Sequence, residues 1–146
     1  MRFITSSYDK KTGYSRVLIE HMGKRFWGTA QLHPDDKDMG SNYAGCAYAE
    51  IRAEIKALKY EHKIMKEKAE ECRKFVKACE QYKNWDKTSP SARVIYRQLN
   101  TRIKRVNQLV DMIDSKQKAL ERLIWHRDIT IKAFERNKSK KVNQHS

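Results

Sequence analysis

The residue types best suited to bind phosphate are concentrated between residues 87 and 110, where six residues are basic and none is acidic. Four polar residues of this segment are spaced i, i+4, i+7 and i+11: Arg93, Arg97, Asn100 and Lys104. On a helix this spacing forms one stripe, which we expect to flank the apolar seam. Guanidinium groups match phosphate oxygens, and an asparagine amide can bind a nucleobase edge or a ribose hydroxyl. The stripe predicts a phosphate-bearing ligand. The alternative is a solvated face paired with glutamates of the preceding helix.

A second set of candidate binding residues lies further along the chain: Arg122, Trp125 and Arg127. If the two long helices form a hairpin, this set returns beside the start of the first helix. Arg127 falls on a seam position, where a guanidinium needs a carboxylate, backbone carbonyls or a ligand phosphate; Glu50 and Asp128 are the structural alternatives. Trp125, and Trp85 at the other end of the second helix, could stack on a base, although such tryptophans also serve packing.

No pattern in the sequence indicates catalysis or a bound metal. The chain lacks a phosphate-cradling glycine loop, a nucleophile elbow and paired carboxylates in an apolar setting. Its three cysteines and five histidines do not have the spacing of metal ligands. The aspartates at positions 35, 36 and 38 indicate first a capping loop. We therefore expect a binding protein with no catalytic residue, no metal and no cofactor.

The net charge of +14 is the main indication of a partner in the composition. Such a charge attracts polyanions, including nucleotides, nucleic acid and acidic protein surfaces. The sequence contains no apolar stretch long enough to span a membrane and does not begin like a signal peptide. An odd number of cysteines fits a reducing compartment. These features predict a cytoplasmic protein without a membrane partner.

The elements that must position the candidate residues begin with a β-meander in residues 1–41. Strand-like runs occur near residues 2–8, 14–22 and 24–32, separated by turns that contain Gly13 and Gly23. An acidic capping loop follows, in which Ser41 can cap the next helix. Three strands cannot bury both faces of a sheet, so a helix or another subunit must cover it.

Residues 42–136 predict two long helices, 42–83 and 90–136, with Ser89 as N-cap and Pro90 at the first helical position. Apolar or small residues alternate steps of four and three along both helices. On the first helix they are Ile51, Ile55, Leu58, His62, Met65, Ala69, Cys72, Val76 and Cys79. On the second they are Tyr96, Leu99, Ile103, Val106, Val110, Ile113, Gln117, Leu120, Ile124, Arg127, Ile131 and Phe134. Residues 137–146 lack an apolar period and are predicted to be a disordered basic tail.

The predicted fold is α+β: an N-terminal three-stranded antiparallel β-meander followed by a long, antiparallel, coiled-coil-like two-helix hairpin. A two-helix hairpin shields its seam on one side only, and the sheet is under-covered. We therefore expect a homo-oligomer.

A set of turn and helix residues resembles a pattern in small proteins of tailed bacteriophages. The matching residues are Gly28-Thr29-Ala30, His33-Pro34, Asp36, Gly45, Ala49 and Arg52-Ala53. With the meander, the long helices and the basicity, they make the chain similar to the phage sponges of the Thoeris anti-defence group. The resemblance implies sequestration, without catalysis, of cyclic ADP-ribose isomers in the host bacterial cytoplasm. It also implies a homodimeric or hexameric assembly, with cyclic oligonucleotides as further ligands of some members. No pocket residue is carried over from that family.

The sequence thus supports a hypothesis of a cyclic-nucleotide sponge. The alternative is a nucleic-acid-binding protein, or an inhibitor of a nucleic-acid-dependent host defence enzyme, that acts through the basic second helix. A third hypothesis is a purely structural phage component.

Overall fold

The computed structural model describes the backbone of residues 1–31 and 42–144, and the side chains of residues 1–31 and 45–124. Three strands come first, β1 (Arg2–Asp9), β2 (Tyr14–His21) and β3 (Lys24–Gln31), followed by helices α1 (Asn42–Glu80) and α2 (Pro90–Gln144). The predicted α+β order of a strand meander followed by two helices is confirmed. The predicted capping loop with Ser41 lies outside the described residues.

The three strands form one antiparallel sheet in the order β1-β2-β3. Both connections use left-handed backbone, as the turn glycines predict. Gly13 has a φ of 73°, and the tight turn between β2 and β3 has Met22 at 54° and Gly23 at 73°. A mirror-image turn of this kind matches the twist of the strands that it joins. One irregularity interrupts β1, where the register with β2 shifts between Phe3 and Thr5.

The chain divides into two compact units, each containing parts of both helices. The sheet unit comprises Met1–Ala57 and Ser115–Ser146, and the hairpin unit comprises Leu58–Asp114. In the sheet unit α1 lies so close to the sheet that glycine is required: a Cβ on Gly28 would stand 1.8 Å from the Ala49 carbonyl oxygen and 2.6 Å from the Ala53 nitrogen. A Cβ on Gly45 would lie 2.3 Å from Ser15 Oγ. Small residues on both elements therefore fix the helix on the sheet.

In the hairpin unit the segments of α1 and α2 run antiparallel. Tyr96 bonds to Glu80, Arg102 to the Lys68 carbonyl and Arg105 to Glu61, so positions on α2 rise as their partners on α1 fall. In the sheet unit Glu54 pairs with Lys116, and Tyr48 Oη donates to the Leu123 carbonyl at 2.7 Å. The predicted antiparallel direction is therefore observed within each unit taken by itself.

The predicted seam is confirmed on α1 and needs correction on α2. None of the nine predicted α1 positions is exposed. On α2, Leu109 is completely buried while the predicted Val110 is 49% exposed, and Gln117 and Ile124 are also exposed. A straight helix drifts about 20° per heptad against a strict 3.5-residue repeat, so a strict alternation of three and four leaves the buried face.

The helix ends also differ in part from the prediction. Ser89 Oγ accepts a hydrogen bond from the Ala92 amide at 3.2 Å, and α2 begins at Pro90, so the predicted cap is confirmed. Helix α1 ends at Glu80, three residues early, where tighter turn bonds to the Ala78 and Cys79 carbonyls replace the helical pattern. Helix α2 runs to Gln144 rather than 136, which differs from the predicted disordered tail. Residues 137–144 contain no glycine or proline to end a helix, and a missing apolar period removes packing rather than helical backbone.

Candidate functional site

An open groove of about 470 Å³ lies on α2 in the hairpin unit. Six side chains of that helix line it: Arg93, Tyr96, Arg97, Asn100, Thr101 and Lys104. The structure thus brings the four residues of the predicted stripe together and adds Tyr96 and Thr101. We refer to this surface as the arginine groove.

The basic residues of the arginine groove lie on the exposed side of α2. Each residue turns an α-helix by about 100°, so residues seven apart share a face. Arg102 therefore lies on the same side as the buried Leu109. Arg93, Arg97 and Lys104 lie roughly on the opposite side, and all three are exposed. The stripe borders Tyr96, a predicted seam position that lines the same groove, as expected of a stripe that flanks the seam.

The basic residues of this segment divide into those that bond to α1 and those that do not. Arg105 donates to Glu61 Oε1 through Nε at 3.1 Å and Nη2 at 2.8 Å, and Glu61 is almost completely buried. Arg102 Nη1 donates to the Lys68 carbonyl at 3.2 Å. The alternative of pairing with the first helix therefore holds for these two arginines. Across residues 1–31 and 45–124, the side chains of Arg93, Arg97 and Lys104 have neither an ion pair nor a hydrogen bond.

Tyr96 is held at the edge of the arginine groove by the loop between the helices. Its hydroxyl donates to Glu80 Oε1 at 2.7 Å and accepts from Trp85 Nε1 at 3.3 Å. The two rings meet edge to face, with centroids 6.5 Å apart. The hydrogen bond from Trp85 lowers the pKa of Tyr96, but the hydrogen bond to Glu80, burial and the Glu80 charge outweigh it and raise that pKa. The two hydrogen bonds of the hydroxyl hold the ring in place.

The remaining predicted site residues are not part of this groove. Trp85 does not line the groove; it contacts Tyr96, which does. Arg122 is exposed on the part of α2 that belongs to the sheet unit. The side chains of Trp125 and Arg127 lie outside the described residues, so their predicted roles stay predictions. The periodicity of α2 predicts that Tyr96 lies on the seam, yet its spacing, three residues after Arg93 and four before Asn100, also predicts that it borders the stripe.

The residues that carry the resemblance to phage sponges serve helix–sheet packing wherever the structure describes them. Gly28 meets Ala49 and Ala53, Gly45 meets Ser15, and Arg52 Nη1 donates to the Thr29 carbonyl at 2.8 Å. His33, Pro34 and Asp36 lie outside the described residues. No family model matches the chain, and no curated protein or solved structure matches it either.

The described residues also bear on contact with a membrane and on metal binding. Among them no helix has the length and apolar character needed to cross a bilayer. The same part of the chain holds no group of three or more histidine, cysteine, aspartate or glutamate side chains placed to bind a metal ion.

Proposed function

We propose that the arginine groove binds the phosphate of a cyclic nucleotide and that the protein holds this ligand without chemical change. The observation that carries the proposal is the set of three cations, Arg93, Arg97 and Lys104, that have no partner among the described residues. The neighbouring Arg102 and Arg105 on the same helix are bonded to α1, so within this segment the cations that line the groove differ from the cations that the fold uses. Unpaired guanidinium groups converging on a concave surface favour an anionic ligand.

The lining of the groove supports separate roles for its residues. Arg93 and Arg97 are one helical turn apart, about 6 Å along the axis, and can bind the same phosphate or two adjacent ones. Asn100 can bind a ribose hydroxyl or a base edge, and Tyr96 offers a fixed aromatic face for stacking. Among the described residues, no carboxylate, imidazole or thiol lines the groove, which supports binding rather than catalysis.

The proposed biological role is that of a phage anti-defence sponge, which sequesters a cyclic ADP-ribose isomer, or a cyclic oligonucleotide, in the host bacterial cytoplasm. This role rests on the resemblance of the sheet and the start of α1 to Thoeris sponges. In the part of the chain that the structure describes, the lining of the groove comes from one helix, so one side of a bound nucleotide stays open to solvent. We propose that the protein is a homo-oligomer, a dimer or a hexamer, in which a second copy covers the ligand.

The sharpest test is to identify what the protein carries from cells. The protein is purified from bacteria with an active nucleotide-signalling defence, denatured, and the released small molecules are analysed by mass spectrometry. We expect a cyclic nucleotide with the unaltered mass of the signal. The Arg93→Ala/Arg97→Ala double variant, purified alongside, should release much less of it. Release of a hydrolysed nucleotide, or of equal amounts from both proteins, would contradict the proposal.

A second candidate function, nucleic-acid binding, is favoured by the openness of the arginine groove. The stripe from Arg93 to Lys104 extends about 16 Å along a solvent-facing helix, which suits a phosphate backbone. The two functions differ in salt dependence. Affinity for a polyanion falls steeply and linearly with the logarithm of salt concentration, whereas a small ligand releases few counterions. Binding of duplex DNA with a steep salt slope, without cyclic-nucleotide binding, would favour this second function.

A further inference from the structure

The two edges of the sheet are treated differently by the rest of the sheet unit. Along the β3 edge, α1 donates two hydrogen bonds to backbone carbonyls: Lys56 Nζ to Trp27 at 2.9 Å and Arg52 Nη1 to Thr29 at 2.8 Å. Four residues of helix span about 6 Å and two residues of strand about 6.8 Å, so the two cations match the two carbonyls. These side chains occupy the acceptors that an added strand would need, and they protect this edge.

The register of the sheet identifies the backbone groups that face outwards from β1. The Trp27 and Thr29 carbonyls point away from β2, so the residues opposite them, Leu18 and Arg16, direct their backbone groups towards β1. Their neighbours there are Thr5 and Ser7. The intervening residues, Ser6 and Tyr8, therefore present N–H and C=O groups to the open side. Within the described parts of the chain, nothing bonds to these outward groups.

The side chains of β1 do little to block this edge. Residues 3–8 include no charged residue, proline or glycine, and Phe3 is 55% exposed. The bulge between Phe3 and Thr5 interrupts the ladder and restricts the regular part of the edge to residues 5–9. A five-residue strand with two outward-facing residues is thus left open to pairing.

We infer that β1 pairs antiparallel with β1 of a second copy of this chain, which joins the two sheets into one of six strands. An antiparallel edge is complementary to itself about a two-fold axis. The register that uses both outward residues sets Ser7 opposite Ser7 of the second copy, and Ser6 opposite its Tyr8. Each Ser6–Tyr8 pair exchanges two hydrogen bonds, so four bonds join the copies. The outer edges of the joined sheet are then the capped β3 edges, so pairing stops at the dimer.

Charge favours a second copy at this edge over other faces of the molecule. The chain has a net charge of +14, which opposes the approach of two copies through basic surfaces that hold no bound anion. The only charged residue among positions 5–9 is Asp9, whose negative charge is opposite in sign to the net charge of the chain. Within the paired segment, residues 5–9, two copies therefore meet without bringing charges of the excess sign together, and Arg2 and Lys10 lie outside this segment.

The test compares substitutions at Ser6, whose outward N–H each copy donates. Ser6→Pro removes that donor without touching the β1–β2 ladder, and proline is tolerated where an edge N–H faces solvent. Ser6→Thr is the matched control, because it keeps the N–H and is favourable in strands. In sedimentation equilibrium we expect a dimeric parent, a dimeric Ser6→Thr variant, and a dimer dissociation constant raised at least tenfold by Ser6→Pro, because symmetry removes two hydrogen bonds.

Far-ultraviolet circular dichroism of Ser6→Pro should match the parent and show that the sheet is intact. If Ser6→Pro does not fold, Ser6→Lys decides instead, because it sets two like charges on the shared edge. A monomeric parent, or variants that dissociate no more readily than the parent, would overturn the inference. The same holds if the edge pairs only with an extended segment of another protein.

Discussion

The cations of the sheet unit and those of the arginine groove differ in what they bond. On α1, Arg52 and Lys56 donate to carbonyls of β3, and Lys116 of α2 pairs with Glu54. These charges are used by the fold. In the hairpin unit, Arg93 and Arg97 are on the same helix as the bonded Arg105 but are exposed and line the arginine groove. The number of basic residues therefore says little about function, whereas their partners separate structural cations from candidate ligand-binding ones.

The largest expected effect would break the sheet unit and leave the arginine groove unchanged. In Gly28→Ala the new methyl group would stand 1.8 Å from the Ala49 carbonyl oxygen, which is backbone and cannot rotate away. Helix α1 must shift from the sheet, and we expect a loss of about 3 kcal/mol in the free energy of unfolding, measured with urea.

Gly23→Ala is the matched control for that substitution. A methyl group there would meet nothing within 4 Å, so only the left-handed backbone, with φ of 73°, opposes it. The expected loss is about 1 kcal/mol. If the two variants unfold at the same urea concentration, the close approach of α1 to β3 does not govern the stability of the protein.

Substitution of a bonded arginine should destabilise the protein more than substitution of an unbonded one. Arg105→Ala leaves the buried Glu61 carboxylate without its guanidinium and should cost about 2 to 3 kcal/mol, less than a fully buried pair because Arg105 is partly exposed. Arg97→Ala removes a side chain without a described partner and should change stability by no more than about 0.5 kcal/mol. Guanidinium chloride unfolding curves of both variants measure the two changes in the free energy of unfolding. Equal losses would mean that Arg97 has a structural role.

A smaller effect is expected at the capped edge of β3. Arg52→Ala removes the donor to the Thr29 carbonyl, and we expect a loss of about 1 kcal/mol in thermal or chemical unfolding. Lys59→Ala, at an exposed position on the same helix, is the control and should stay within about 0.5 kcal/mol of the parent. An Arg52→Ala variant as stable as the parent would show that this bond does not stabilise the sheet unit.

The smallest expected effect is a gain in stability at the turn between β2 and β3. Met22 has a φ of 54°, a conformation that asparagine tolerates better than methionine. Met22→Asn should therefore raise the free energy of unfolding by about 0.5 kcal/mol, which a urea titration can resolve against the parent. A loss of stability would instead assign a packing role to the Met22 side chain.

The parts of the fold set by local chemistry were predictable from the sequence. Gly13 and Gly23 marked the turns, and Ser89 with Pro90 marked the start of α2. The buried face of α2 was not predictable, because the choice between Leu109 and Val110 depends on how a straight helix drifts against a fixed repeat. The close approach of α1 to the sheet was not predictable either, because it depends on contacts between distant parts of the chain.

The candidate site was likewise predictable where local spacing determines it, and not predictable where contacts between elements determine it. Spacing alone placed Arg93, Arg97, Asn100 and Lys104 in one stripe, because the helical period determines it. Spacing could not tell that Arg102 and Arg105 are bonded to α1 while the stripe is not, since that depends on the partner helix. The three-four spacing places Tyr96 on the seam, and its bonds to Glu80 and Trp85 were not predictable because they join different elements.

The central claim, that unpartnered arginines of the groove bind a nucleotide phosphate, is tested most directly by calorimetric titration with a cyclic ADP-ribose isomer. Arg97→Ala is compared with Lys66→Ala, which removes one positive charge from an exposed position on α1. A lost charge-assisted hydrogen bond costs about 1.5 to 3 kcal/mol, so Arg97→Ala should weaken binding roughly ten- to a hundredfold, whereas Lys66→Ala should stay within about twofold. If Arg97→Ala binds the nucleotide as tightly as the parent and the control, the claim is contradicted.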